Sequence, residues 1–223
     1  MYNEISIKLL KSNPLNLYYR LLFKTDCTII TFMVNIEGSF KPGVAEEVFA
    51  DAKTDGLTFR DVTPEDADTV GEFLIREGRT DINPLPDTFV SKHVRDIAAS
   101  KTEGVIAELA GKPIGVFTYE VHQPGGPYSK FQPSGQEDAP YGYLAEAVTK
   151  QGLVRHLGTM LCETALHKVR AKGVHVAYSI HNTENIASGL MMLYNGMGEV
   201  SILHQPERGR DMSVKSIILP PRS

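Results

Sequence analysis

The sequence predicts an α/β protein, a mixed sheet with helices on its faces. Two observations carry that expectation. Short strand-like runs recur between segments of helical period. The helical segments also carry start and stop residues at the correct ends. The resulting order is β-α-α-β-β-β-α-β-α-β-β, which interleaves the two kinds of element.

The first 55 residues read differently from the rest, so the chain divides into an N-terminal extension (1–55) and a main domain (56–223). Within the extension, residues 15–23 suit a short helix and residues 27–34 a buried strand. A break follows at 38–43, which begins and ends with glycine.

Residues 57–62 open the domain as a strand. Thr63-Pro64-Glu65-Asp66 is a helix start: a threonine cap, proline at the first helical position, and acids at the positive helix end. Val70, Phe73 and Leu74 supply its buried stripe. A second helix spans 86–100, with Phe89, Val90, His93, Val94 and Ile97 at helical spacing. Strands at 104–109 and 113–121 are joined by Ala110-Gly111-Lys112, a glycine-type hairpin turn. Residues 123–140, rich in Gly, Pro and Ser, form a loop long enough to serve as a lid. Tyr141–Thr149 alternates as a strand. Residues 155–172 are helical, with Leu157, Leu161, Ala165 and Val169 four apart and Gly173 as the stop. A strand at 174–180, a short helix at 185–193 and closing strands at 200–204 and 212–219 complete the order.

Composition narrows the function classes. Apolar residues are 42% and charged residues 22%, ordinary for a globular domain. Net charge is −4 with no basic run, which argues against a nucleic-acid partner. No apolar stretch reaches the roughly 20 residues of a membrane span. Cys27 and Cys162 lie far apart without ligand spacing, so a reducing cytoplasm is expected. The seven histidines show no metal-binding pattern.

The chemistry-bearing segment is the strand-turn-helix from Leu144 to Leu161. A turn that feeds a helix leaves its first amide N–H groups unpaired, and the helix dipole adds partial positive charge. Phosphate binds such a place. Lys150 and Arg155 bring charge, and Gly152 and Gly158 permit close backbone approach. The segment fits neither a Walker loop nor a dinucleotide fingerprint.

Element order and this segment together resemble the GNAT superfamily of N-acetyltransferases over about residues 57–219. The family's turn reads Arg/Gln-x-x-Gly-x-Gly/Ala. Here Leu153, Val154, Arg155, His156, Leu157, Gly158 and Thr159 occupy those positions, with Leu153 at the first basic or amide place and His156 at the first glycine. Gly111-Lys-Pro-Ile-Gly115 resembles the family's Gly-x-x-Val/Ile-Gly hairpin. Residues 176–198 resemble its C-terminal signature in two registers. One matches Leu193-Tyr194 and Gly198, with Glu199 in place of the aromatic. The other matches Asn182, Asn185, Ser188 and Gly196-Met197, with Met192 at the tyrosine position.

The resemblance implies a mostly antiparallel GNAT-like sheet and an acyl-CoA-dependent N-acetyltransferase with acetyl-CoA as donor co-substrate. The acceptor would be a small-molecule or peptide amine. The alternative it implies is an inactive acyl-CoA-binding or interaction module. It places the pantetheine arm beside 144–149, against Ala147 and Val148, with a backbone N–H near Val148 taking the thioester oxygen. It places the diphosphate on residues 153–159 and adds Asn185 to the donor site. Glu146, a charged residue inside an otherwise apolar strand, is the candidate base, and Tyr194 the candidate acid. His181 is an alternative base, and His122 a candidate for the acceptor wall. A homodimer through the C-terminal strands is the implied assembly.

Overall fold

The computed structural model describes residues 56–126, 128–133, 135–205 and 210–219, and the backbone of three strands within residues 5–35. Those three are β1 (Ile5–Asn13), β2 (Asn16–Thr25) and β3 (Thr28–Asn35), an antiparallel sheet in that order. The helix expected at 15–23 is therefore a strand. Tyr18, Tyr19 and Phe23 favour extended backbone, and β2 pairs along both edges, Leu21 facing Ile7 on one side and Phe32 on the other. The strand expected at 27–34 is β3. The break expected at 38–43 lies outside the described residues.

The second unit is built on a seven-stranded sheet. Its strands are β4 (Leu57–Asp61), β5 (Glu103–Leu109), β6 (Lys112–His122), β7 (Tyr141–Thr149), β8 (Val176–Asn182), β9 (Gly198–Gln205) and β10 (Arg210–Ile218). Their order is β4-β5-β6-β7-β8-β10-β9. Every neighbouring pair is antiparallel except β7 with β8.

Four helices cover the two faces. The first begins as a tight turn over Pro64–Asp66, continues as α1 (Ala67–Phe73) and ends in a wide turn over Leu74–Gly78. The expected start at Thr63 is present: Asp66 accepts the Thr63 N–H at 2.8 Å, and Arg60 grips the same carboxylate at 2.7 Å. The others are α2 (Asp87–Ala98), α3 (Leu157–Ala171) and α4 (Ile186–Tyr194). Strand alternation divides the core accordingly. Ile106, Val116 and Val148 pack with Val70, Leu74, Val90 and Ile97 on the α1–α2 face. Val105, Phe117 and Leu144 pack with Leu157, Leu161, Ala165 and Val169 on the α3–α4 face. The β5–β6 connection is the expected hairpin, with Ala110 and Gly111 both at positive φ (50° and 73°), as a two-residue turn of that hand requires.

Two irregularities position the site. The parallel pairing of β7 with β8 covers only Gly142–Leu144, after which the strands part. On its other edge β7 carries a β-bulge: Phe117 faces Ala147 and Tyr119 faces Leu144, so Ala145 and Glu146 together oppose Thr118. Both of those side chains consequently reach the α2 face.

Candidate active site

Thr118 closes the bulge. Its hydroxyl accepts the Glu146 N–H at 3.1 Å and lies 3.0 Å from Nε2 of the buried His93 on α2. His93, which the helical spacing placed in the core, is thus a brace under the bulge. Its imidazole is held neutral, because burial lowers its pKa.

Glu146 is turned into a cavity of about 280 Å³ between β6, β7 and α2. Burial pushes its carboxyl from 4.5 up to about 7, and a hydrogen bond with Asn83 pulls the other way. Asn83 belongs to the segment 79–86 before α2, and distant strands strap that segment down. Asn182 at the end of β8 donates to the Ile82 carbonyl at 3.3 Å. Arg210 at the start of β10 donates to the Ile82 and Asp81 carbonyls at 2.9 and 3.1 Å.

Beyond Glu146 the cavity wall holds Phe89, Lys92, Glu120, His122, Tyr128 and Tyr143. His122 therefore borders the cavity, as its place before the long loop suggested. That loop, 123–140, supplies Tyr128, whose ring stacks on Tyr143 at 4.6 Å. Its N–H donates to the Tyr141 hydroxyl at 3.1 Å. Glu120 is a second carboxylate that sequence reasoning missed. It accepts from Thr102 at 2.9 Å and lies 3.1 Å from His122 Nε2. The His122 contact holds its carboxyl below the ordinary value, against the opposing effect of burial. Strand alternation was the available signal, Thr118 with Glu120 on β6 and Val148 with Glu146 on β7, while the bulge adds Ala145 to that face.

The other edge of β7 faces the parted β8. Lys150 N–H donates to the Ile114 carbonyl at 2.8 Å, and Val148 pairs with Val116 two residues on. In an antiparallel ladder hydrogen-bonded pairs alternate, so the Val148 amide is turned toward β6. The amides of Ala147 and Thr149 point the other way, into the gap. Of Ala147 and Val148, it is Ala147 that turns its amide into the gap.

At the end of β7 the turn 150–156 leads into α3. The first helical bond runs from Met160 N–H to the His156 carbonyl at 3.1 Å, which leaves the amides of Leu157, Gly158 and Thr159 without a helical acceptor. Arg155 and Leu153 are exposed and Val154 is half-buried. His156 caps the helix in the left-handed conformation, φ 59° and ψ 16°. That backbone suits glycine best. The His156 ring meets Tyr194 edge-on at 6.4 Å, and its pKa is lowered by burial and by Arg155. A Cβ on Gly158 would come within 3.2 Å of Met191 Sδ, so α3 and α4 touch closely there.

The structure also decides between the two C-terminal registers. Gly196 has φ 77° and ends α4, with its N–H on the Leu193 carbonyl and the Met197 N–H on that of Met192. This is a helix-stopping glycine followed by a buried apolar residue, since Met197 is fully buried. The Gly196-Met197 register holds, and Met192, buried against Cys162, stands at the tyrosine position. Tyr194 is half-buried two residues on, beside His156 and away from the cavity lining. Asn185 caps α4, its Oδ1 accepting the Ser188 N–H at 3.1 Å. His181 lies toward α4 with its Nδ1 buried and unpaired, and burial pushes its pKa down to about 4. Cys162 is fully buried, and burial pushes its thiol up.

This architecture is the fold of solved GNAT acetyltransferases. The chain resembles solved structures of that fold. A GNAT-family acetyltransferase from Streptococcus pneumoniae matches with TM-score 0.53 and 18% identity, over 74% of this chain and 99% of that one. Arabidopsis thaliana NAA60 in complex with a bisubstrate analogue gives 0.60 and 13%, over 74% and 99%. A Drosophila melanogaster polyamine N-acetyltransferase gives 0.57 and 12%, over 73% and 100%. No protein-family model matches the chain, and no curated protein does.

Proposed function

We propose that the protein is an N-acyltransferase that moves an acetyl or other acyl group from acyl-CoA to an amine by direct attack. One observation carries this reading. Within two consecutive residues of β7, a carboxyl with its pKa pushed up to about 7 borders a cavity, and a backbone amide faces the gap between parted strands. Glu146 takes the proton that an attacking amine must lose, a role suited to a base poised near neutral pH. The Ala147 N–H donates to the thioester oxygen as negative charge gathers on it. The unpaired edge of β7 at Ala147 and Thr149 receives the pantetheine amides as an added strand. The amides of Leu157, Gly158 and Thr159, with the Arg155 charge, take the diphosphate. Tyr194, the candidate acid, lies beside the diphosphate cradle, a pantetheine arm away from the thiolate, which in this reading takes its proton from water. Support for the donor comes from Arabidopsis NAA60, solved with acetyl-CoA.

The experiment follows free thiol with acetyl-CoA and a panel of amines, in the native protein and in Glu146→Gln. Amine-dependent thiol release, reduced about 10²–10⁴-fold in the variant, is expected. A second reading, an acyl-CoA-binding module without turnover, draws on Met192 at the tyrosine position and on the His156 side chain in the cradle. Saturable acetyl-CoA binding without thiol release from any amine would establish that reading instead.

A further inference from the structure

The acceptor cavity is asymmetric. At one end Glu146 borders the parted strands, where the reacting nitrogen belongs. At the other end Glu120 sits among the faces of His122, Tyr128, Tyr143 and Phe89. Glu120 and Thr118 lie two residues apart on β6, and Thr118 opposes the bulge that carries Glu146. The stems of the two carboxylates are therefore about 7 Å apart along the strand.

The charged groups at this cavity are Glu120, Glu146 and Lys92. Lys92 is bound to the carboxylate of Asp96 on its own helix, and its charge also reaches Glu120. Glu120 is a half-buried carboxylate held directly by Thr102 and His122. A carboxylate ringed by aromatic faces is a setting in which an organic cation is favoured twice, by the charge and by the ring quadrupoles. A monoamine, its single nitrogen at Glu146, would leave Glu120 with only His122 and the more distant Lys92 as counter-groups.

Resting on the acyl-transfer reading of the same site, we infer that the acceptor carries two cationic groups: a primary amine that reacts beside Glu146, and a second ammonium or guanidinium seated at Glu120 within the ring-walled end of the cavity. Glu120 is then the specificity-determining residue. A short aliphatic diamine with roughly four carbons between its nitrogens is of the same order of length as that separation.

The test compares 1,4-diaminobutane, butylamine, phenethylamine and glycine as acceptors with acetyl-CoA, in the native protein and in Glu120→Gln. Diamine binding is titrated calorimetrically in parallel, and thermal melts verify that the variant folds. In the native protein kcat/KM for the diamine exceeds that for butylamine by about tenfold or more, carried mainly by KM, and the ratio falls toward one in Glu120→Gln. Equal use of butylamine and the diamine, or a preference for phenethylamine or glycine, overturns the inference while leaving acyl transfer standing. Diamine binding that weakens about tenfold in the variant, without turnover of any amine, keeps the inferred site and overturns the acyl-transfer reading. Absence of both diamine binding and diamine turnover overturns the inference.

Discussion

Replacing Glu146 by glutamine is expected to make the protein more stable and less active at once, increasingly so as pH rises from about 4.5 to 7. The carboxyl is raised from 4.5 to about 7 by burial. At about 1.4 kcal/mol per tenfold change in proton affinity, ionising it in the folded protein costs at most about 3 kcal/mol. Some contact with solvent reduces this toward about 2 kcal/mol. The sign follows from linkage. A carboxyl whose folded pKa is raised contributes its stability below 4.5 and loses it as pH rises through about 7. Glutamine, neutral throughout, does not lose it. Melts of the two proteins should therefore nearly coincide at pH 4.5 and separate at pH 8, with the variant higher by roughly 4–10 °C. The activity assay should move oppositely. In the native enzyme kcat/KM rises through an apparent pKa of about 7. In the variant that limb disappears and the rate drops about 10²–10⁴-fold. Melts that stay parallel from pH 4.5 to 8 would refute the burial argument. A limb near 7 that persists in the glutamine variant would refute the assignment of the base.

Three further substitutions probe the surrounding geometry. His156→Gly relieves a left-handed backbone costing about 1–2 kcal/mol while adding unfolded-state freedom worth about half of that. It should raise stability by up to about 1 kcal/mol in denaturant titrations and tighten acetyl-CoA binding; a loss of stability would mean that the contact with Tyr194 outweighs the strain. Gly78→Ala places a Cβ 2.6 Å from Val148 Cγ2 and should destabilise by about 1–3 kcal/mol, while a neutral result would mean that β7 shifts freely. Tyr194→Phe, on a phenol beside the diphosphate cradle, should leave kcat unchanged within about twofold; a loss of tenfold or more would make that phenol the proton donor to the thiolate.

Most elements of the main domain were legible because their signals are local. Thr63-Pro64 opens a helix and Gly173 closes one, and Ala110-Gly111 turns a hairpin wherever it stands. The N-terminal segment misled because a short apolar run such as 15–23 fits either period, and its partners on both edges decided it. The site was less legible, for reasons of register. That Ala147 rather than Val148 offers its amide depends on which pairs in the β6–β7 ladder are hydrogen-bonded. That Ala145 joins Glu146 on the cavity face depends on one extra residue in β7. Neither leaves a trace in composition or spacing. His156 hid the turn's left-handed residue behind a side chain, and Gly196 and Gly198 were equivalent until the backbone of one proved left-handed.

The strap over the acceptor cavity ties function to the order in which the chain is made. Segment 79–86 is synthesised early, yet Arg210, one of the two side chains holding it, comes more than a hundred residues later. β10 also lies inside the sheet, between β8 and the previously made β9. During synthesis β9 can have no neighbour in this sheet, and the wall beside Glu146 no second tether, until β10 leaves the ribosome and inserts. The cavity beside Glu146 is thus among the last features to assemble, and a nascent chain halted before Arg210 would carry its helices beside an unfinished cavity wall.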